Sequence, residues 1–170
     1  MSELELRIAG VVGDSIVDGP GLRLTVFTQG CPHRCEGCHN PETHDFAGGS
    51  VADIDAILAM LDRSPITRGL TLSGGEPFSQ AAALLPLVRA VRARGKDVFA
   101  YSGYRYEELV ALASADSAVA ELLDLCDYLV DGRFVLAERD LTLVFRGSRN
   151  QRVIDLNGTR AAGEVVLADY

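Results

Sequence analysis

The sequence lacks an excess of basic residues, because 16 lysines and arginines stand against 24 aspartates and glutamates, giving a net charge of −8. A chain without a basic surface has little with which to neutralise phosphates, so nucleic-acid binding is not expected. No apolar run approaches the roughly 20 residues that a membrane-spanning helix needs, so no membrane association is expected either. The N-terminal stretch, MSELELRIAG, carries acids and has no apolar core of the kind found in secretory signal peptides.

Cysteine is scarce and unevenly placed. Three of the four cysteines, Cys31, Cys35 and Cys38, fall within eight consecutive residues, and the fourth is Cys126. This cluster does not resemble the disulfide framework of a secreted protein, and in a reducing compartment such clusters are more often metal-binding or catalytic. We therefore expect a cytoplasmic protein. Cys126 lies in an apolar stretch and is expected to be a buried core residue.

The remaining composition is that of an ordinary globular protein. The 170 residues are 48% hydrophobic and 24% charged, which predicts a single domain spanning residues 1–170. Alternating or β-branched runs predict strands at residues 22–29, 70–72, 98–101 and 128–130. Apolar residues at helical spacing predict helices near residues 54–61, 84–91, 107–113 and 117–125. Less periodic tail segments, residues 153–155 and 165–167, are predicted as short strands.

Several residues are expected to set the helix boundaries. Ser50 and Asp53 resemble a capping box, and Ser79 is predicted to cap the following helix. Pro86 falls inside that helical pattern, so it should kink the helix or mark its first turn.

Strands that alternate with helices predict an α/β fold with a parallel sheet and crossover helices on its outer face. The strand–helix units are too few for a closed eight-fold barrel, so we expect a partial, open (β/α) barrel. In such sheets, ligands bind at the carboxyl ends of the strands. The chemically distinctive motifs all follow predicted strands: the cysteine loop, Gly74-Gly75-Glu76, Ser102-Gly103 and Asp131-Gly132.

The spacing of the cysteines leaves two kinds of metal site open. A C-x3-C-x2-C motif can bind three irons of a 4Fe–4S cluster and leave the fourth iron without a protein ligand. Alternatively, the three cysteines and one of His33, His39 and His44 form a structural zinc site. Structural zinc usually takes ligand pairs from two separated segments, and the sequence has no second pair, but spacing alone does not decide between the two.

The segment Ser73-Gly74-Gly75-Glu76-Pro77 also has two interpretations. Two glycines directly after a strand let the backbone approach a ligand closely, and Glu76 is an anionic acceptor suited to an ammonium group. The same residues could form an ordinary strand-to-helix turn, with Glu76 favoured by the helix dipole.

The cysteine motif and Gly74-Gly75-Glu76-Pro77 together resemble the radical S-adenosyl-L-methionine (SAM) enzymes. Residues 18–23 (DGPGLR) and 38–43 (CHNPET) narrow the resemblance to activases of glycyl radical enzymes. Residues 101–104, 130–134 and 145–152 are similar to the small activases of anaerobic ribonucleoside-triphosphate reductase. The resemblance spans roughly residues 10–155 and favours an iron–sulfur cluster over zinc.

The resemblance implies a radical SAM oxidoreductase with one 4Fe–4S cluster and SAM as cofactors. Cys31, Cys35 and Cys38 would be the cluster ligands. Reductive cleavage of SAM would give a 5′-deoxyadenosyl radical, which would generate a glycyl radical on the partner, anaerobic ribonucleoside-triphosphate reductase. Reduced flavodoxin or a similar protein would supply the electron.

The resemblance also implies contacts to SAM. Gly74, Gly75 and Glu76 would hold its amino group, and Ser102 lies where the family contacts the ribose. Arg133 would meet its carboxylate, in place of the lysine found in larger activases.

Other functions remain open from the sequence. The tail residues Asn150, Gln151 and Arg152 resemble the family's closing motif, whose role is either structural or in docking a partner. The substrate could be another glycyl radical enzyme or a small molecule, and a more distant alternative is a structural zinc-binding module.

Overall fold

A computed structural model of the chain describes residues 5–38 and 40–170. The strands of these residues are β1 (Arg7–Ser15), β2 (Arg23–Thr28), β3 (Ser50–Val51), β4 (Gly69–Gly74), β5 (Asp97–Tyr101), β6 (Tyr128–Asp131) and β7 (Arg152–Asp155). The α-helices are α1 (Ile54–Asp62), α2 (Ala81–Ala93), α3 (Tyr106–Ala113), α4 (Ser117–Leu125) and α5 (Leu156–Ala162). The strands form one mixed sheet in the order β3-β1-β2-β4-β5-β6-β7.

The four central strands of the sheet run parallel to one another. Strands β2, β4, β5 and β6 lie side by side in this order. At least one α-helix connects each of these strands to the next one in the list. The outer strands β1, β3 and β7 pair antiparallel. The predicted parallel sheet is therefore confirmed for these central strands, whereas β1 and β3 were not predicted and β7 pairs antiparallel. At the edges, the chain reverses direction without a crossover helix, which antiparallel pairing permits.

One face of the sheet packs against the helices. The register aligns Val26 with Leu72 and Leu72 with Ala100, and all three side chains are buried. Helix α2 covers this face with the predicted apolar stripe, whose fully buried members are Leu84, Leu87, Val88 and Val91. Burying a side chain such as leucine or valine contributes about 1.5–3 kcal/mol to the free energy of folding. The layer between the sheet and the helices is therefore the main hydrophobic core.

The opposite face of the sheet is more polar. Thr25, Thr71 and Phe99 lie in register across β2, β4 and β5, and all are buried. Arg23 is fully buried beside them, with its guanidinium carbon 5.6 Å from the centroid of the Phe99 ring. Its Nε donates to Thr71 Oγ1 at 2.7 Å, and its Nη2 donates to Asp97 Oδ1 at 2.5 Å. A buried cation and its carboxylate partner thus lie at the end of the sheet where the parallel strands begin.

Two predicted helix caps are wrong. Ser50 pairs with β1 as part of β3, so α1 is capped instead by Asp53, whose side chain accepts from the Ala56 amide. Ser79 lies inside a 3-10 helix, Pro77–Gln80, and α2 begins only after that helix. In both places, the predicted cap takes part in a neighbouring element that the periodic pattern did not reveal.

The remaining differences concern Pro86 and the tail. Pro86 lies inside α2 as its sixth residue and not in its first turn. Strand β7 agrees with the prediction, but the strand expected at residues 165–167 is limited to one bridge, between Ile154 and Leu167. Helix α5 was not predicted, although Asp155 caps it by accepting from the Gly158 amide. In the described ranges, no helix combines the length and apolarity needed to cross a membrane.

Replacing Asp97 with alanine is expected to destabilise the protein by about 3 kcal/mol, because the buried guanidinium of Arg23 loses its anionic partner. Asp97 Oδ2 also accepts from Arg68 Nε at 3.0 Å, but the Arg68 side chain is 47% exposed. Arg68→Gln is therefore the matched control and should cost less than about 1 kcal/mol. Urea unfolding measures both variants, and equal losses would contradict a dominant Arg23–Asp97 interaction.

Candidate functional site

A cavity of about 590 Å³ opens at the carboxyl ends of the parallel strands. Its lining includes Cys31, Cys35 and Cys38 after β2, residues 73–75 at the end of β4, residues 101–103 at the end of β5, and Gly132 after β6. The parallel arrangement thus brings together the motifs that were expected to share one edge of the sheet. The volume lies within the roughly 300–1,000 Å³ that is usual for sites holding small molecules and cofactors.

The cysteine loop starts from a glycine in a left-handed conformation. Gly30 has φ 101°, and a Cβ on it would lie 2.3 Å from the Phe46 ring. Its N–H donates to the carbonyl of Thr43 at 2.7 Å, and the N–H of Cys31 donates to that of His44 at 3.1 Å. These contacts attach the first part of the loop to the segment that follows its last cysteine.

The three clustered thiols differ in their surroundings. Cys31 is 8% exposed, whereas Cys35 and Cys38 are more accessible. Burial raises the pKa of the Cys31 thiol, and the backbone amides of His33 and Arg34 partly oppose that rise. A bound metal would favour the thiolate of Cys31, because a thiolate ligand must lose its proton.

The three clustered thiols line one cavity, as ligands of a shared metal group must. Among the described residues, no three His, Cys, Asp or Glu side chains are grouped to hold one ion. Tetrahedral zinc would require thiolate sulfurs within about 4 Å of one another, given Zn–S distances of about 2.3 Å. In a 4Fe–4S cluster, each cysteine binds a different iron, so three thiols that line one cavity are suitable ligands.

The histidines considered as zinc ligands do not complete such a site. His33 Nε2 lies 2.7 Å from Glu76 Oε1, so this nitrogen is already engaged. His44 Nε2 is buried and has no hydrogen-bond partner among the described residues. It nevertheless does not belong to any described group of three residues that could bind a metal ion. His39 lies outside the described residues.

The glycine pair forms a close junction with the start of the cysteine loop. The Gly75 N–H donates to the Thr28 carbonyl at 2.7 Å, and the Glu76 N–H donates to the Gly30 carbonyl at 2.8 Å. A Cβ on Gly75 would lie only 2.3 Å from the Gly30 oxygen, and Gly74 has φ 88°. Both positions therefore require glycine, and the backbone of this pair borders the cavity.

The carboxylate of Glu76 lies beneath the cavity and is not part of its lining. The residue is fully buried, and its oxygens accept hydrogen bonds from His33 Nε2, the Ser102 hydroxyl, the Gly103 amide and the Phe78 amide. A carboxylate offers about four acceptor positions, so these four donors fill it. Ser102, by contrast, also lines the cavity.

Arg133 is the other predicted SAM contact that does not line the cavity, although its neighbours Gly132 and Phe134 do. Its side chain is 48% exposed, and Nη1 lies 3.6 Å from an oxygen of Glu108. This exposed pair is of the kind that contributes at most about 1 kcal/mol.

The tail residues connect two segments beside the cavity. Asn150 Nδ2 donates to the Arg133 carbonyl at 2.8 Å, and Gln151 Nε2 donates to the Gly132 carbonyl at 3.0 Å. Arg152 forms an ion pair with Asp131, at 2.5 Å. Of the two roles left open by the sequence, these contacts favour the structural one, because Asn150 and Gln151 fasten the loop that follows β6 and Arg152 pairs with the last residue of β6.

Comparison with known proteins identifies the family. A family profile described as "4Fe-4S single cluster domain" matches residues 17–154. The anaerobic ribonucleoside-triphosphate reductase-activating protein of Escherichia coli (strain K12) is 40% identical over 146 residues, covering 81% of this chain and 91% of that protein. Proteins of the same name from Vibrio cholerae and Enterobacteria phage T4 are 40% and 34% identical, over 80% and 81% of this chain and 89% and 86% of theirs. The chain belongs to the family of anaerobic ribonucleoside-triphosphate reductase-activating proteins.

A more distant likeness exists among solved structures. QueE from Escherichia coli matches with a TM-score of 0.47 and 21% identity, over 58% of this chain and 52% of that chain.

The fourth cysteine of this member of the activating-protein family is part of the core. Cys126 is fully buried directly after α4, as predicted, and it does not line the cavity. Burial raises the pKa of its thiol to about 12. A thiol that is so difficult to ionise is a poor metal ligand.

Sequence reasoning missed part of the cavity wall. Leu143, Phe145 and Arg146 line the cavity from an irregular segment between β6 and β7, and Val17 lines it from the loop before β2. Irregular segments have no periodic pattern, so only the resemblance of residues 145–152 to the family pointed to this region.

Cys31→Ala, Cys35→Ala and Cys38→Ala are each expected to lose most of the iron bound after anaerobic reconstitution, because each removes one thiolate facing the cavity. Cys126→Ala is the matched control and should keep its iron while losing about 1 kcal/mol of stability. Iron and sulfide analysis measures the four variants. Loss of iron in Cys126→Ala alone would show that the ligand set is wrong.

Gly75→Ala is expected to displace the cysteine loop and destabilise the protein by about 2 kcal/mol, because its Cβ would overlap the Gly30 carbonyl oxygen at 2.3 Å. Gly10→Ala is the control, since a Cβ at that position meets no atom within 4 Å. Thermal unfolding and iron content measure the effects. If Gly75→Ala behaved like Gly10→Ala, the junction would be looser than the structure indicates.

Proposed function

We propose that this chain is an iron–sulfur, SAM-dependent activase that generates a glycyl radical on anaerobic ribonucleoside-triphosphate reductase. One observation carries the proposal: three thiols and a glycine-lined strand end face a single cavity. Membership in the family of reductase-activating proteins supports the choice of partner.

We infer that Cys31, Cys35 and Cys38 hold one 4Fe–4S cluster in this cavity, with one iron left open for SAM. Such a cluster would supply the electron for reductive cleavage of SAM to methionine and a 5′-deoxyadenosyl radical, and that radical would abstract a hydrogen atom from a glycine of the reductase. The contribution of the protein is to bind, orient and shield these groups. Reduced flavodoxin or a similar small protein is the electron donor we propose.

The strand ends provide suitable contacts for SAM. We propose that the exposed backbone of Gly74 and Gly75 binds its amino group, because two residues without side chains leave the peptide groups accessible. Ser102, at the end of β5, lies on the same wall and would face the ribose. Glu76 already accepts four hydrogen bonds, so we propose that it serves SAM by fixing the glycine segment in place.

Arg133 remains our proposed partner of the SAM carboxylate. Its side chain would have to leave Glu108, and their exposed 3.6 Å contact is weak enough for that exchange to cost little. A guanidinium can then form two parallel hydrogen bonds with a carboxylate, which lysine cannot do.

The cavity also suits a reaction that must exclude water. Apolar side chains of Phe134, Leu143 and Phe145 form part of its wall. A glycine presented on an extended segment of the reductase could approach between them, because it brings no side chain of its own. Water exclusion protects a reactive intermediate from side reactions.

We further propose that the parallel strands form a partial, open (β/α) barrel within one radical SAM domain spanning the chain. Its four unpaired cysteines suit the reducing cytoplasm, which is the location we infer.

The proposal is tested by reconstituting the protein anaerobically with iron and sulfide and adding SAM, a reductant and the reductase. The expected result is SAM cleavage together with the EPR doublet of a glycyl radical on the reductase. A reductase variant with alanine at the acceptor glycine is the matched control and should show cleavage without the doublet.

Two outcomes would contradict parts of the proposal. SAM cleavage without a radical on the native reductase would show that the substrate is another glycyl radical enzyme or a small molecule. One tightly bound zinc per chain, with no SAM cleavage after iron reconstitution, would instead indicate a structural zinc module.

A further inference from the structure

Glu76 connects three separate segments that meet below the cavity. From the cysteine loop, His33 Nε2 lies 2.7 Å from Oε1. From the end of β5, the Ser102 hydroxyl donates at 2.9 Å and the Gly103 amide at 2.8 Å, both to Oε1. From the short helix that follows the glycine pair, the Phe78 amide donates to Oε2 at 3.1 Å. One buried carboxylate thus links the proposed metal-binding loop to both proposed SAM-binding strand ends.

The imidazole of His33 is held tightly in this position. Its side chain is 4% exposed, and its ring packs edge-on against Tyr104 with centroids 4.5 Å apart. The ring also lies so close to Gly103 that a Cβ on that residue would be 2.2 Å from His33 Cδ2. The ring orientation of His33 is therefore fixed by its packing against Tyr104, by its close contact with Gly103 and by its hydrogen bond to Glu76.

The hydrogen-bonding pattern assigns the roles within the pair. Glu76 accepts from two backbone amides and from a hydroxyl, so we assign the shared hydrogen to His33 Nε2, with the carboxylate as acceptor. His33 stands between Cys31 and Cys35 in the chain. A hydrogen bond from this position restrains the cysteine loop directly, whereas the other donors of Glu76 restrain only the end of β5 and the short helix after the glycine pair.

We propose that His33 is a positioning residue that locks the cysteine loop to the glycine segment through Glu76. The hydrogen-bonded pair, the His33–Glu76 lock, sets the distance between a cluster held by the cysteines and SAM held at Gly74 and Gly75. The effect of the lock on SAM binding rests on the proposed function. His33 itself ligates neither the metal nor SAM.

Loss of the lock has a specific physical consequence. Without His33, a fully buried carboxylate loses one of its four hydrogen-bond donors, which is unfavourable for a buried charged group. Beyond its backbone junction with the glycine segment, the cysteine loop would then be free to shift while keeping all three thiols. The expected effect is a lower affinity for SAM with an unchanged iron content.

The first experiment compares His33→Phe with His33→Gln in the reconstituted protein. Phenylalanine keeps the ring against Tyr104 but has no donor, and it should weaken SAM binding about tenfold, with iron content unchanged. Glutamine places an N–H near the original Nε2 and should restore most of the affinity. The change in the EPR spectrum of the reduced cluster on SAM addition should follow the same order. Unchanged affinity in His33→Phe, or loss of its iron, would overturn the proposal.

A double-mutant cycle tests whether the two residues act as one unit. Glu76→Gln replaces an acceptor oxygen with an amide that faces four donors, so it should also weaken SAM binding. If the lock is the shared cause, His33→Phe combined with Glu76→Gln should bind SAM no worse than Glu76→Gln alone. Effects that multiply would show that the residues act independently and would contradict the lock.

A readout without cofactors separates the lock from the proposed function. In the metal-free protein, His33→Phe should speed hydrogen exchange at the Gly103 and Phe78 amides, both of which donate to Glu76. Arg89→Gln, which removes an exposed ion pair with Glu121 far along α2, is the control and should leave these amides unchanged. Unaltered exchange in His33→Phe would refute the lock even if the protein activates the reductase. Faster exchange in a protein that never cleaves SAM would leave the lock in place and refute the function.

Discussion

The ends of β2 and β4 approach each other so closely that backbone atoms alone join the two halves of the site. The amides of Gly75 and Glu76 donate to the carbonyls of Thr28 and Gly30, and no side chain fits between Gly75 and Gly30. The cysteine loop and the glycine segment therefore begin at one fixed junction. Any distance between a metal cluster on the first and a ligand on the second depends on this junction, because neither segment can shift independently at its base.

Above the junction, a buried carboxylate continues the same constraint. Removing Glu76 from water is unfavourable, and four hydrogen-bond donors from three segments offset that cost. A fully satisfied polar network of this kind is rigid, because every displacement leaves a buried group unpaired. The cavity is thus stiff at its base, whereas its apolar wall comes partly from the irregular segment between β6 and β7.

The two faces of the sheet differ in composition and in role. Leucine, valine and alanine on one face pack against the helices and supply most of the apolar burial. The opposite face carries threonines, aromatic rings and the buried Arg23 with its partner Asp97. Alternation along each strand allows this division, since neighbouring residues point to opposite faces. The parallel direction then gathers the chemically active residues at one edge.

The sequence by itself determined the central parallel strands, the apolar stripe of α2 and the cysteine and glycine motifs, because each depends on local spacing. It also predicted that these motifs meet, since parallel strands end at one edge. Only the tertiary structure decided the antiparallel edges, the true caps and the wall formed by residues 143–147, which depend on partners distant in the chain. The tertiary structure also decided the role of Glu76. The local sequence predicted an acceptor available to a ligand, whereas the folded chain surrounds its carboxylate with hydrogen-bond donors. One of them is His33, which lies 43 residues away in the sequence.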